Sequence, residues 1–292
     1  MQGIYKLSNF RLSTGLSSLA LIAAVPVMGW AQAADLGIET AVKQIVGSTS
    51  EFVKPHDGGS TSNTAVWNYG DYSRFILKGT DASGSPLSYG LQITAVDATG
   101  VLKPNTDSLM IAQTKSSQGL TDATTLSVYV GPDQGYGNWT LDLKFSLFDA
   151  SFTTPANPSN FTLTALDLDY DQRVSISDSD FTTFTLEKTS AVSFNQPGSR
   201  TNFLGTGDGS FYNGLDSVHA VQAATNLDNE FTVTVGSGPQ NPNKSLFVFD
   251  FGKVAFNNPT TYSIPEPSTA LLLSIGGAMF TIMRRRRPAA KF

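Results

Sequence analysis

Through the middle of this 292-residue chain, apolar and polar residues alternate with a period of two. Trp139, Leu141, Leu143, Phe145 and Leu147 fall on one side of an extended chain, with Thr140, Asp142, Lys144 and Ser146 on the other. Phe231, Val233 and Val235 alternate with Thr232 and Thr234, and the runs Leu91 to Ile93 and Leu126 to Val130 behave likewise. In a strand successive side chains point to opposite faces, so this pattern predicts half-buried strands. Leu246 to Phe251 is apolar on both sides until Asp250, which predicts a central strand covered on both faces. Turn residues separate the runs at Asp81 to Gly84, Gly131-Pro132, Pro155 to Pro158, Gly207 to Gly209 and Gly236 to Pro239. Residues 35–47 break the pattern: Ile38, Ala41, Val42 and Ile45 fit one face of a helix.

Many short strands at regular spacing predict an all-β fold, an antiparallel β-sandwich of jelly-roll type. Its expected limits are residues 66–258, after an extension or linker over 34–65 that includes the Gly/Ser/Thr/Asn stretch His56 to Thr64. Pro155 to Asn160 is a candidate divider, but the runs on both sides need partners, which favours one sandwich.

Two segments lie outside the pattern, one at each end. Residues 1–33 hold Lys6 and Arg11, then an uncharged apolar run from Leu16 to Met28, then Ala31-Gln32-Ala33. Basic start, apolar centre and small residues at the cut make a secretory signal peptide, with cleavage by signal peptidase after Ala33. At the other end Ile264 leads into Pro265-Glu266-Pro267. Ser268 to Met283 follows without a charge, and then Arg284, Arg285, Arg286 and Arg287. As a transmembrane helix, those sixteen uncharged residues reach about 24 Å at a rise of about 1.5 Å each, short of a hydrocarbon core of about 30 Å. The arginines must therefore snorkel, and by the positive-inside rule they hold the C-terminus in the cytoplasm.

Pro265-Glu266-Pro267, the short apolar helix and the arginine cluster, in that order over residues 264–292, resemble the PEP-CTERM sorting tail of exported proteins in Gram-negative, biofilm-forming bacteria. The resemblance implies processing by an exosortase, transient anchoring in the inner membrane, and delivery to the cell surface, outer membrane or extracellular matrix. The rigid Pro-Glu-Pro segment suits a protease groove.

Composition narrows the chemistry. There are no cysteines, so disulfides, thiol nucleophiles and thiolate zinc sites are excluded, and with His56 and His219 as the two histidines so is a three-histidine metal site. The net charge of −5 hides a division. The ends hold seven of the 19 basic residues and one acid, leaving 12 basic against 23 acidic residues in the body, a net of −11. Nucleic-acid binding rests on basic contacts to phosphate and is excluded as a partner. Divalent cations fit better.

Asp167, Asp169, Asp171 and Asp178 stand at positions 1, 3, 5 and 12 of a run that resembles the calcium loop of EF-hand and dockerin modules, with Val174 at the apolar position 8. Gln172 replaces the glycine at position 6, the flanks read as strands, and there is no second copy. The same Asp-x-Asp, followed by a strand such as Arg173 to Ile176, is similar to an element of β-sandwiches in exported PEP-CTERM proteins, where the aspartates cap a strand end. Both readings stand: Ca²⁺ at this loop, or carboxylates paired with Arg173, backbone amides and water. No cofactor is otherwise required.

Trp67, Tyr69 and Tyr72, beside Asn68 and Asp71, form an aromatic group that could stack on sugar rings, against ordinary core or loop packing. Tyr136 and Trp139 make a second such pair. Gly205 to Gly209 lacks the lysine and helix of a phosphate loop and reads as a turn. There is no Gly-x-Ser-x-Gly elbow. Carboxylates suit glycoside hydrolysis, but the body holds only Glu39, Glu51, Glu187 and Glu230 besides its aspartates. The expected function is a non-enzymatic surface or matrix structural protein, associated with biofilm exopolysaccharide and processed by an exosortase. The alternative is a secreted carbohydrate-binding module with structural calcium, and a secreted glycosidase is more distant.

Overall fold

The computed structural model describes residues 35–43, 65–81, 83–113, 125–131, 137–158, 161–169, 171–206, 217–225, 229–238, 245–252 and 254–264. The signal-peptide and sorting-tail residues, Ile264 excepted, lie outside these, as does the His56–Thr64 stretch. Among the described residues no helix is long and apolar enough to cross a membrane.

Sixteen strands are found among the described residues. They are β1 (Asp35–Lys43), β2 (Ala65–Val66), β3 (Tyr72–Thr80), β4 (Pro86–Gly100), β5 (Ser108–Gln113), β6 (Leu126–Gly131), β7 (Trp139–Asp149) and β8 (Thr162–Leu166). Then come β9 (Gln172–Ser177), β10 (Phe181–Glu187), β11 (Val192–Asn195), β12 (Arg200–Gly205), β13 (Val221–Thr225), β14 (Glu230–Ser237), β15 (Ser245–Asp250) and β16 (Pro259–Ser263). They form two antiparallel sheets. The first runs β1-β3-β4-β7-β14-β9-β12-β11 and the second β16-β10-β13-β8-β15-β6-β5-β2.

The pairings β6·β15, β7·β14, β8·β13 and β9·β12 nest one inside the next along the chain and alternate between the sheets. A two-stranded ribbon therefore winds around the core. Strands on either side of Pro155 to Asn160 share both sheets, so that segment does not divide the body.

Alternation explains the layers. Along β7, Leu141, Leu143, Phe145 and Leu147 are fully buried while Thr140, Asp142 and Lys144 face outward, half-buried. The inner faces of the two sheets meet through aromatic rings. Across the sheets Phe145 meets Phe249 edge-on at 5.8 Å and Trp139 meets Phe247 at 6.2 Å, and within the first sheet Phe145 stacks on Phe231 with centroids 5.1 Å apart. Such ring pairs add about 0.5–1.5 kcal/mol each to the burial of their area.

The doubly covered strand is borne out in β15. Phe247 and Phe249 enter the main core, and Leu246 and Val248 join a second buried cluster with Met110, Ala112, Tyr129 and Leu166 on the sheet's other face. Desolvation there pushes the Tyr129 phenol up to about 12.

The helical expectation for residues 35–47 is corrected. Residues 35–43 are β1, an edge strand of the first sheet paired with β3. A register shift between Ile38 and Thr40 leaves Glu39 as an extra residue. The bulge sets Ile38 and Ala41 three apart on the core-facing side, and that spacing imitates a helix. The sheets thus extend past the expected limits 66–258 on both sides, through β1 and β16.

Candidate functional site

Asp167, Asp169 and Asp171 lie in the connection from β8 in the second sheet to β9 in the first. Asp167 and Asp171 have φ of 58° and 60°, the left-handed region that aspartate tolerates better than most residues. The crossing is held by backbone contacts. Leu168 N donates to His219 O at 3.0 Å, Gln172 N to Asp169 O at 2.9 Å, and Gly238 N to Asp171 O at 3.0 Å. Gln172 also ties the corner to the second sheet, with Nε2 donating to Leu246 O at 3.0 Å and Oε1 accepting from Asp169 N at 3.2 Å. Gly205 and Gly238 let the corner close, since a Cβ on either would overlap Asp169 O or the Asp171 carboxylate.

Asp178 is not part of this group. Residues Gln172–Ser177 are extended as β9, and its five steps at about 3.3 Å each put about 16 Å between its end residues. An EF-hand-like loop must instead curl so that position 12 returns to position 1. Asp178 accepts from the Thr201 hydroxyl at 2.8 Å on neighbouring β12. Among the described residues no group of three or more histidine or carboxylate side chains could hold a metal ion. Calcium therefore does not fit these four aspartates as a set. Arg173 pairs with Asp171, Nη2 to Oδ1, at 3.3 Å.

The aromatic group divides. Trp67 is fully buried in the main core, so it offers no face to a sugar. Tyr69 stands edge-on to it at 5.5 Å and is 49% exposed. Tyr72 is half-buried, with Lys43 Nζ 3.7 Å from its ring centroid and the Arg74 guanidinium at 5.0 Å. Trp139 is buried as well, and Tyr136 lies outside the described residues. Burial, which residue type alone does not fix, overturns the reading of Trp67.

Two turns share the sequence Asp-Ala-Ser-x-Ser/Thr. In each a carboxylate oxygen gathers a serine hydroxyl and two backbone amides. Asp81 Oδ1 accepts from Ser83 Oγ at 2.6 Å, Ser83 N at 2.8 Å and Ser85 N at 2.9 Å. Asp149 Oδ1 accepts from Ser151 Oγ at 2.7 Å, Ser151 N at 3.0 Å and Thr153 N at 3.0 Å. The serine hydroxyl first, then the amides, hold both carboxyls below their ordinary range. These are turn caps.

A concave feature among the described residues lies elsewhere, on the outward face of the first sheet. It is a groove of about 480 Å³ across β7, β14, β9, β12 and β11, lined by Thr140, Arg173, Ser175, Asn195, Asn202 and Thr234, among others. Register builds it. Asn195, Asn202, Ser175, Thr234 and Asp142 stand opposite one another from strand to strand, so their side chains form one transverse row. Asn202 Nδ2 donates to Asn195 Oδ1 at 3.0 Å, and Ser175 Oγ to Asn202 Oδ1 at 2.5 Å. Thr234 accepts from Arg200 and donates to Asp142.

The next row places Gly236 between Arg173 and Thr140. A Cβ at Gly236 would stand 2.7 Å from Trp139 O, so glycine fits there and leaves the groove floor bare. Among the described residues the lining holds hydroxyls, amides, one guanidinium and the apolar Phe194, Phe203 and Leu204, with no carboxylate or imidazole. It can bond a polyhydroxylated ligand but contains no acid–base pair. Thr140 and Thr234 were visible in the sequence as the polar partners of apolar runs; Arg173, Ser175 and Asn202 alternate with Val174, Ile176 and Phe203 in the same way.

No family model and no curated relative matches the sequence. Among solved structures, the chain is similar to the N-terminal domain of the Streptococcus gordonii adhesin Sgo0707, at 12% identity and a TM-score of 0.43. The match covers 77% of this chain and 66% of that domain, just under two thirds of its length. It is also similar to a structure described under the promiscuous specificity of carbohydrate-binding modules from the β-sandwich superfamily, at 10% identity and a TM-score of 0.23, covering 76% and 92%. Likenesses at this level carry no argument about activity.

Proposed function

We propose that this chain is an exported, non-catalytic surface or matrix protein whose body is a jelly-roll module that holds polysaccharide. The observation that carries the reading is the open groove on the first sheet, where hydroxyls and amides that donate and accept, as sugar hydroxyls do, stand beside the apolar Phe194 and Leu204. The nested ribbon pairs support the jelly-roll assignment. The two end segments support export, with cleavage after Ala33 and exosortase processing near Pro265-Glu266-Pro267. The absence of a carboxylate pair from the described lining favours binding over hydrolysis.

Retention of the exported protein on a glycan panel tests this. Wild type is expected to bind at least one polysaccharide, and Asn202→Ala to weaken that binding without lowering the melting temperature by more than a few degrees. A protein that binds no glycan sinks the binding half. Unchanged surface delivery after deletion of residues 268–292 sinks the sorting half.

A further inference from the structure

Among the described residues lining the groove, Arg173 alone carries a charge. Its side chain is 46% exposed, and its guanidinium pairs with Asp171 Oδ1 at 3.3 Å. A guanidinium has five N–H donors in a planar fork, and one long ion pair to the half-buried Asp171 carboxylate engages only part of it. Across the strand Arg173 faces Gly236, which has no side chain to compete for the fork. Thr140, Ser175 and Asn202 around it are neutral. The body as a whole repels polyanions, with 12 basic residues against 23 acidic. Binding of a polyanion here must therefore come from a local site and not from the general field.

We infer, resting on the polysaccharide reading above, that the groove takes a carboxylated polysaccharide and that Arg173 is the residue that selects it. The fork receives a uronate carboxylate in the paired geometry that guanidinium and carboxylate favour. Hydroxyls of the same chain reach Thr140, Ser175 and Asn202. A neutral glycan gives the fork no matching anion.

The test is affinity gel electrophoresis of the full-length protein in polygalacturonate, alginate and hyaluronate, and in fully methyl-esterified polygalacturonate, which keeps the sugar chain and masks the charge. At least one acidic polymer is expected to retard the protein, and esterification to weaken binding at least tenfold. Arg173→Gln is expected to lose at least tenfold towards the acidic polymer with its melting temperature unchanged. Arg173→Lys should lose less, and Lys78→Gln, which lies outside the groove, should lose nothing. Equal affinity for acidic and esterified forms, or binding of neutral glycans alone, overturns the inference and leaves the polysaccharide reading standing. Full acidic-polymer binding by Arg173→Gln overturns the assignment to that residue. Failure to bind any glycan, acidic or neutral, overturns both.

Discussion

Replacing Gly236 with alanine tests the groove and the packing beneath it together. The added Cβ would lie 2.7 Å from Trp139 O and 3.2 Å from Thr140 Cγ2. The first neighbour is backbone in the paired strand β7, so relief requires β14 and β7 to move apart by several tenths of an ångström. Overpacking of this kind costs about 1–3 kcal/mol. Alanine recovers about 0.5–1 kcal/mol of it, because glycine loses more backbone freedom on folding. The net loss is about 0.5–2 kcal/mol. For a body of this size each kcal/mol shifts the melting temperature by about 2–4 °C, so a fall of about 1–8 °C is expected. The methyl also rises from the groove floor beside Arg173, so glycan affinity should fall with stability. Differential scanning calorimetry and gel retardation on the same samples check both. A variant that melts at or above wild type, with unchanged glycan affinity, would refute the tight β7–β14 approach and the groove built on it.

Phe145→Ala removes the ring that stacks on Phe231 and meets Phe249 and Phe251. A loss of about 3–5 kcal/mol is expected from chemical denaturation, and a loss under 1 kcal/mol would mean the sheets do not pack through it. Asp149 has its carboxyl held below the ordinary range, so its contribution is present above the unfolded pKa near 4 and is lost as pH falls through the folded one. The gap in melting temperature between wild type and Asp149→Ala should therefore be widest near neutral pH and close towards pH 2. A constant gap would contradict the hydrogen-bonded carboxylate. Because Asp178 stands a strand away from Asp171, adding Ca²⁺ or a chelator should leave the melting temperature unmoved. A rise of several degrees with Ca²⁺, abolished in Asp169→Ala, would show that the corner binds calcium after all.

The alternation that predicted β7, β14 and β4 was legible because each has a drier and a wetter face, written residue by residue; the run Leu126 to Val130 alternates too, yet β6 is buried on both faces, which corrects the half-buried expectation. β15 was legible because its two dry faces read as a continuous apolar run. The order of strands was not legible. Phe145 pairs with Phe231, far along the chain, and no local pattern encodes that partner. Residues 35–43 misled because an extra residue, Glu39, at the first of two register shifts in β1, changes the spacing of the inward side chains Ile38 and Ala41 from two to three. Trp67 misled for a different reason: an aromatic residue serves a core or a binding face equally well, and only packing decides. The aspartates were grouped by spacing along the chain, which measures distance only if the chain curls. Here it runs straight through β9.

The same ribbon that hides the strand order from the sequence also makes the groove. Thr140, Arg173, Asn202 and Thr234 come from four strands spread over nearly a hundred residues. Winding the ribbon between the sheets brings β7, β14, β9 and β12 side by side in one of them, so the outward residues of all four align by register. The second sheet cannot offer an equivalent surface at its centre. There Met110, Tyr129, Leu166, Leu246 and Val248 point outward and are themselves buried, and that burial pushes the Tyr129 phenol up. With one outer face committed to packing, the polar row of the first sheet is, among the described residues, a surface left open to a ligand. A binding function placed there asks nothing of the core and little of stability, since Arg173 and Asn202 can change while Val174 and Phe203, on the opposite side of the same strands, hold the sheets together.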